Sequence, residues 1–127
     1  MLPLENVRVL SFGTGGVGPD ACKIIGELGA DVIKIESKDN LDFMRTIGPD
    51  INNIAGFNEA NRNKRSFGVN LKSDKGKELV GQLIRKSDMI VENFRGGVMN
   101  SLGFGYESVR ALNPKIIYVS SQGFGGG

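Results

Sequence analysis

The sequence predicts an α/β fold, a Rossmann-like doubly wound sheet of mostly parallel strands, and three observations carry that prediction. Short apolar, β-branched runs recur along the chain. Segments with helical spacing of apolar residues separate most of them. The connections around the first helix are too short for anything but a tight right-handed crossover between parallel strands.

The first strand is "VRVLSF" (7–12), which stops at glycine. "PDACKIIGELG" (19–29) follows as a helix: Pro19 suits its first position, Asp20 its positive end, and Gly29 its stop. Ala21, Ile24, Ile25 and Leu28 are expected to form the buried face, with Cys22 in the core. "DVIKIE" (31–36) is the second strand. Residues 37–65 hold no sustained period and many Asp, Asn, Gly and Pro, so they read as a long loop with one or two short helical turns. Loops of that length in a compact domain are usually functional or disordered. "SFGVNL" (66–71) resumes a strand, and Ser73 caps a helix over 74–86 whose stripe is Leu79, Val80, Leu83 and Ile84. Next come a strand at 88–94, a Gly-Gly turn, a short helix at 108–113 ended by Pro114, and a strand within 115–124.

Composition narrows the chemistry. The 127 residues fit one domain, and a net charge of +2 with no dense basic stripe argues against nucleic acid or an anionic membrane as partner. A single cysteine excludes an internal disulfide and a cysteine-cluster metal site, which suits a reducing cytoplasm. With no histidine, neither a Ser–His or Cys–His pair nor a His-ligated metal can be built within this chain. A general base would have to be a carboxylate, lysine or tyrosine. Glycine, at 19 residues, is about twice its usual share and gathers at 13–18, 96–97, 103–105 and 123–127, as in loops close to a ligand. A strand running into "GFGGG" is a poor domain end, so 1–127 reads as a piece of a longer protein.

Three stretches can carry function. Gly13, Gly15 and Gly18 spell G-x-G-x-x-G after a strand, and Glu36 stands where a ribose-binding acid would be, which meets the dinucleotide fingerprint. Pro19 removes one helix N-terminal donor that would hold pyrophosphate, and a glycine-rich turn facing another ligand remains as plausible. Arg62, Lys64, Arg65 and Lys72 form a basic segment fit for phosphate, or a solvated basic loop. "VENFRGG" (91–97) closes its strand with Phe94, able to stack on a base, cover a thioester arm or fill the core.

The series "LENVRVLSF…GP", "LGADVIKIE", "NRNKRS…VNLKS", "IVENFRGGVM..LGFGYE" and "NPKIIYVSSQGFG" resembles the family III CoA-transferases over about residues 3–125. That family groups formyl-CoA:oxalate-type transferases, carnitine CoA-transferases and α-methylacyl-CoA racemases. The resemblance implies an enzyme of about three times this length, a homodimer of interlocked two-domain chains, whose N-terminal Rossmann-like domain binds coenzyme A as substrate. An acyl-CoA and a small carboxylic acid would be its partners, with no metal. It further implies that Gly16 and Val17 border the thioester, that Val69, Asn70, Leu71 and Lys72 meet the nucleotide end, and that Asn93, Phe94 and Arg95 line the same groove. Lys38 would stand in for an arginine that meets phosphate in many members, without its planar fork. The catalytic aspartate of the transferases, and the His and Asp of the racemases, would lie downstream, leaving no catalytic residue here. A racemase relative, a nicotinamide-dinucleotide domain and a free-standing binding module are the alternatives.

Overall fold

The computed structural model describes residues 1–124; the end of the glycine-rich tail, 125–127, lies outside the described residues. Five strands, β1 (Arg8–Ser11), β2 (Asp31–Glu36), β3 (Lys64–Gly68), β4 (Met89–Glu92) and β5 (Ile117–Ser120), form one sheet in the order β3-β2-β1-β4-β5. Every pairing is parallel. The chain winds outward from β1 to β3, then returns to β4 on the other side of β1. This reversal makes the gap between β1 and β4 the topological switch point, where doubly wound folds bind their ligands.

Helix α1 (Val17–Glu27) covers one face of the sheet, and α2 (Ala55–Ala60) packs beside it. Helix α3 (Asp74–Ile84), the short α4 (Val98–Leu102) and α5 (Tyr106–Leu112) supply the apolar residues of the other face. That second face holds the larger core, in which Leu10, Phe12, Ile33, Ile35 and Ile90 of the sheet segments meet Val80, Ile84, Met99 and Val109. Three residues of the expected α3 stripe hold, with Val80 and Ile84 fully buried and Leu83 packed on the same core, whereas Leu79 is half-buried and outside it. Ser73 caps this helix as anticipated, its Oγ accepting from the Gly76 amide at 3.0 Å.

The expected face of α1 does not hold. The helix begins at Val17, two residues before Pro19, and presents Gly18, Pro19 and Cys22 to the sheet. Ala21, Ile24 and Leu28 lie exposed, and Ile25 is half-buried. Side-chain size is the physical reason: Gly18 and Cys22 let the helix axis come close to β1, where an isoleucine would hold it off. Cys22 is a core residue as expected, and burial pushes its thiol up.

Other boundaries shift. β3 ends at Gly68, so Val69–Leu71 form the turn after the strand rather than its end. β4 ends at Glu92, β5 spans only Ile117–Ser120, and α5 begins two residues earlier than expected, at Tyr106. Helix α4 was not anticipated; Gly97 and Gly103, both left-handed, bracket five residues too few to show a period. The irregular middle holds one 3-10 turn (Phe43–Thr46) and α2, matching the expected short helical turns. No helix among the described residues is long and apolar enough to cross a membrane.

Candidate functional site

The C-terminal edge of the sheet opens into a cleft of about 630 Å³, within the usual range for small-molecule sites. Four chain segments wall it: the turn after β1 (Phe12–Thr14), the end of β2 with the strap that follows it (34–43), the turn after β3 (70–72), and Phe94 with α4. Topology places all four here, because every strand of a parallel sheet exits on the same side.

A buried ion pair holds the first two walls together. Lys34 and Asp42 are 5% and 3% exposed, and Nζ of Lys34 donates to Asp42 Oδ2 at 2.9 Å and to the Gly13 carbonyl at 2.8 Å. The other oxygen, Asp42 Oδ1, accepts from the amides of Gly15 (2.9 Å) and Met44 (3.0 Å). Further along the strap, Arg45 Nε meets both oxygens of Glu36, and its guanidinium lies 3.7 Å from the Phe57 ring centroid. Glu36 also accepts from the Asp42 amide at 2.8 Å. This carboxylate therefore sets the turn after β2, with Arg45 as its partner, and is not left free for a ribose.

The glycine turn thus acquires a definite chemistry. In the dinucleotide fingerprint the second glycine lets backbone N–H groups approach pyrophosphate. Here that amide already donates to the Asp42 carboxylate and is not free for a phosphate. Gly15 has φ of +73°, and a Cβ there would collide with the Phe43 ring. Gly13 and Gly18 touch one another at the helix start, with the Asn93 side chain against both.

Burial alone would push the Asp42 carboxyl up; the Gly15 and Met44 amides and the Lys34 ammonium outweigh it and hold the group below the usual carboxylate range. Because its folded pKa lies below its unfolded value of about 3.9, the stabilisation is complete above that pH. It is lost as pH falls through the lower, folded value. Acid unfolding followed by circular dichroism is expected to show a stability slope below about pH 4 that flattens in Asp42→Asn; an unchanged slope would remove Asp42 as its source.

The sequence-predicted residues divide into groups. Asn70, Leu71, Lys72 and Phe94 line the cleft; Val69 packs against the core just before them. Asn93 faces the glycine turn but is committed to it: its Oδ1 accepts from the Thr14 amide (2.8 Å) and its Nδ2 donates to the Thr14 carbonyl (2.9 Å). Arg95 is exposed outside the lining. Gly16 caps α1 and Val17 begins it, both exposed beside the turn and outside the lining. Lys38 is exposed in the turn closed by Ser37 and Asn40, while its neighbours Ser37 and Asp39 reach the cleft.

The basic segment 62–72 is mostly structural. Arg62 pairs with Glu27 and Glu59, and Arg65 with Asp31. Nζ of Lys64 donates to the carbonyls of Pro19 and Ala60 and to Asn61 Oδ1, tying α1, α2 and β3 together. Only Lys72 of the four cations reaches the cleft. Lys34, Asp42 and Phe43, which shape the cleft most, were not singled out from sequence. A lysine flanked by the apolar residues of "VIKI" (32–35) was the available signal, since a buried ammonium demands an acid partner.

The family model for CoA-transferase family III matches residues 4–127. The chain belongs to CoA-transferase family III. It is 43% identical over 126 residues to the formyl-CoA:oxalate CoA-transferase of Bradyrhizobium sp. (strain ORS 278), covering 98% of this chain and 30% of that protein. It is 39% identical over 131 residues to the succinate–glutarate CoA-transferase of Agrobacterium fabrum, covering 97% of this chain and 33% of the relative. A solved CAIB/BAIF family protein from Brucella suis superimposes with a TM-score of 0.85 at 36% identity, over 94% of this chain and 33% of that one. The chain therefore spans about a third of the length of these family members.

Proposed function

We propose that the chain is the N-terminal, coenzyme A-binding part of a transferase that moves CoA between an acyl thioester and a carboxylic acid. One observation carries this reading over a dinucleotide site: Asp42 occupies the Gly15 amide that a pyrophosphate would need. Family membership supports it. A mixed cleft suits CoA, whose phosphates need a cation and whose pantetheine arm tolerates apolar walls. Lys72 supplies the cation, and Phe94, Leu71 and Phe12 supply apolar surface.

In this reading the residues here bind and orient. Lys72 holds a phosphate at the β3 exit, the arm runs along the strand ends past Phe94, and the thioester comes to rest by the glycine turn near Gly16 and Val17. The reacting carboxylate belongs to chain beyond residue 127, and the active assembly is a cytoplasmic homodimer.

Calorimetric titration tests this directly. CoA is expected to bind and NAD to show no comparable heat. Lys72→Ala is expected to weaken CoA roughly tenfold, in line with loss of about 1.5 kcal/mol from a charge-assisted contact. NAD binding without CoA binding would overturn the proposal.

A further inference from the structure

We propose that Phe43 is the acyl-facing wall of the cleft and that the thioester accepted there carries an apolar acyl group. This rests on the CoA reading above and adds the substrate class. Phe43 is 56% exposed although it is large and aromatic, and it lines the cleft next to Gly13 and Thr14. Its ring edge lies against Gly15, close enough that no side chain would fit between them. The ring is held there from both ends of its own peptide. The preceding Asp42 is anchored to Gly15 and Lys34, and the Phe43 amide donates to Thr14 Oγ1 at 3.4 Å. A large apolar face fixed at a ligand cleft and left to solvent is placed to cover an apolar group on the ligand.

The charges around it point the same way. A dicarboxylic acyl group would bring a second carboxylate to this corner. Of the acids that line this corner, Glu36 and Asp42 are neutralised by Arg45 and Lys34, and Asp39, in no ion pair among the described residues, would repel it. The two cations of this corner are already used. Lys34 is bound to Asp42 and Gly13, and Arg45 to Glu36, the Ile51 carbonyl and Asn52. Recruiting either would leave a largely buried acid unpaired, which is costly.

The test is titration of the chain with CoA, acetyl-CoA, butyryl-CoA and succinyl-CoA. Burial of a methylene is worth roughly three- to fourfold in affinity. Butyryl-CoA, with two more methylenes than acetyl-CoA, is expected to bind about fivefold tighter, the shortfall reflecting partial exposure. Succinyl-CoA is expected to bind no tighter than acetyl-CoA. Phe43→Ala should bring the butyryl-to-acetyl ratio close to one while Phe43→Leu preserves most of it, with circular dichroism confirming that both variants are folded. Succinyl-CoA binding tighter than butyryl-CoA, or an unchanged ratio in Phe43→Ala, would overturn the assignment. CoA binding with no discrimination among acyl groups sinks this inference alone, whereas no binding of CoA or any ester sinks the proposed function with it.

Discussion

Asp42→Ala is expected to destabilise the chain by about 3–5 kcal/mol, the range for removing one partner of a buried ion pair. The loss is large because it strands Lys34, whose side chain is only 6% exposed, and frees the Gly15 and Met44 amides together. The paired replacement Lys34→Met with Asp42→Leu leaves no buried charge. It is expected to recover part of that loss but not the turn geometry, because Gly13 and Gly15 still lose their partners. Guanidinium unfolding of the three proteins measures both effects. A single variant within 1 kcal/mol of wild type would show that the pair does not hold the strap to the glycine turn.

Gly76→Ala is expected to cost about 3 kcal/mol, the upper end for overpacking. Gly76 lies in the first turn of α3, and a Cβ there would overlap the carbonyl oxygen of Asn70. That oxygen is backbone, so a rotamer change cannot relieve the clash. It also belongs to the turn that carries Leu71 and Lys72 into the cleft, so the variant should lose CoA affinity along with stability. Gly68→Ala is the control: it lies at the end of β3, where a Cβ meets nothing within 4 Å. Its stability is expected to stay within about 0.5 kcal/mol of wild type. Equal stability of the two variants would contradict this account of α3 and its preceding turn.

Much of the architecture was legible because periodicity reports burial directly. Val80 and Ile84 sit where a helical stripe places them, and the five strands all pair in parallel. The α1 face was misread because Ile24 and Leu28 are apolar yet exposed, while glycine and cysteine make the close contact with the sheet. Hydrophobicity alone cannot reveal that a helix needs small residues on its buried side. Arg62 and Arg65 were legible as a cluster, but two of the acids that pair with them, Glu27 and Asp31, lie 35 and 34 residues away in sequence; only Glu59 is local to Arg62. The strap was the least legible part. Asp42 caps a single 3-10 turn inside an irregular segment, so its reach to Gly15 and Lys34 exists only once the sheet is formed.

The central claim is that ligand binds at the strand exits between the glycine turn and Lys72. The most direct measurement is a backbone amide shift map of the isotopically labelled chain during titration with CoA. The predicted result is a contiguous set of shifts at Thr14, Phe43, Leu71, Lys72 and Phe94. Shifts confined to the opposite end of the sheet, around Arg8, Gly29 and Lys86, would contradict it.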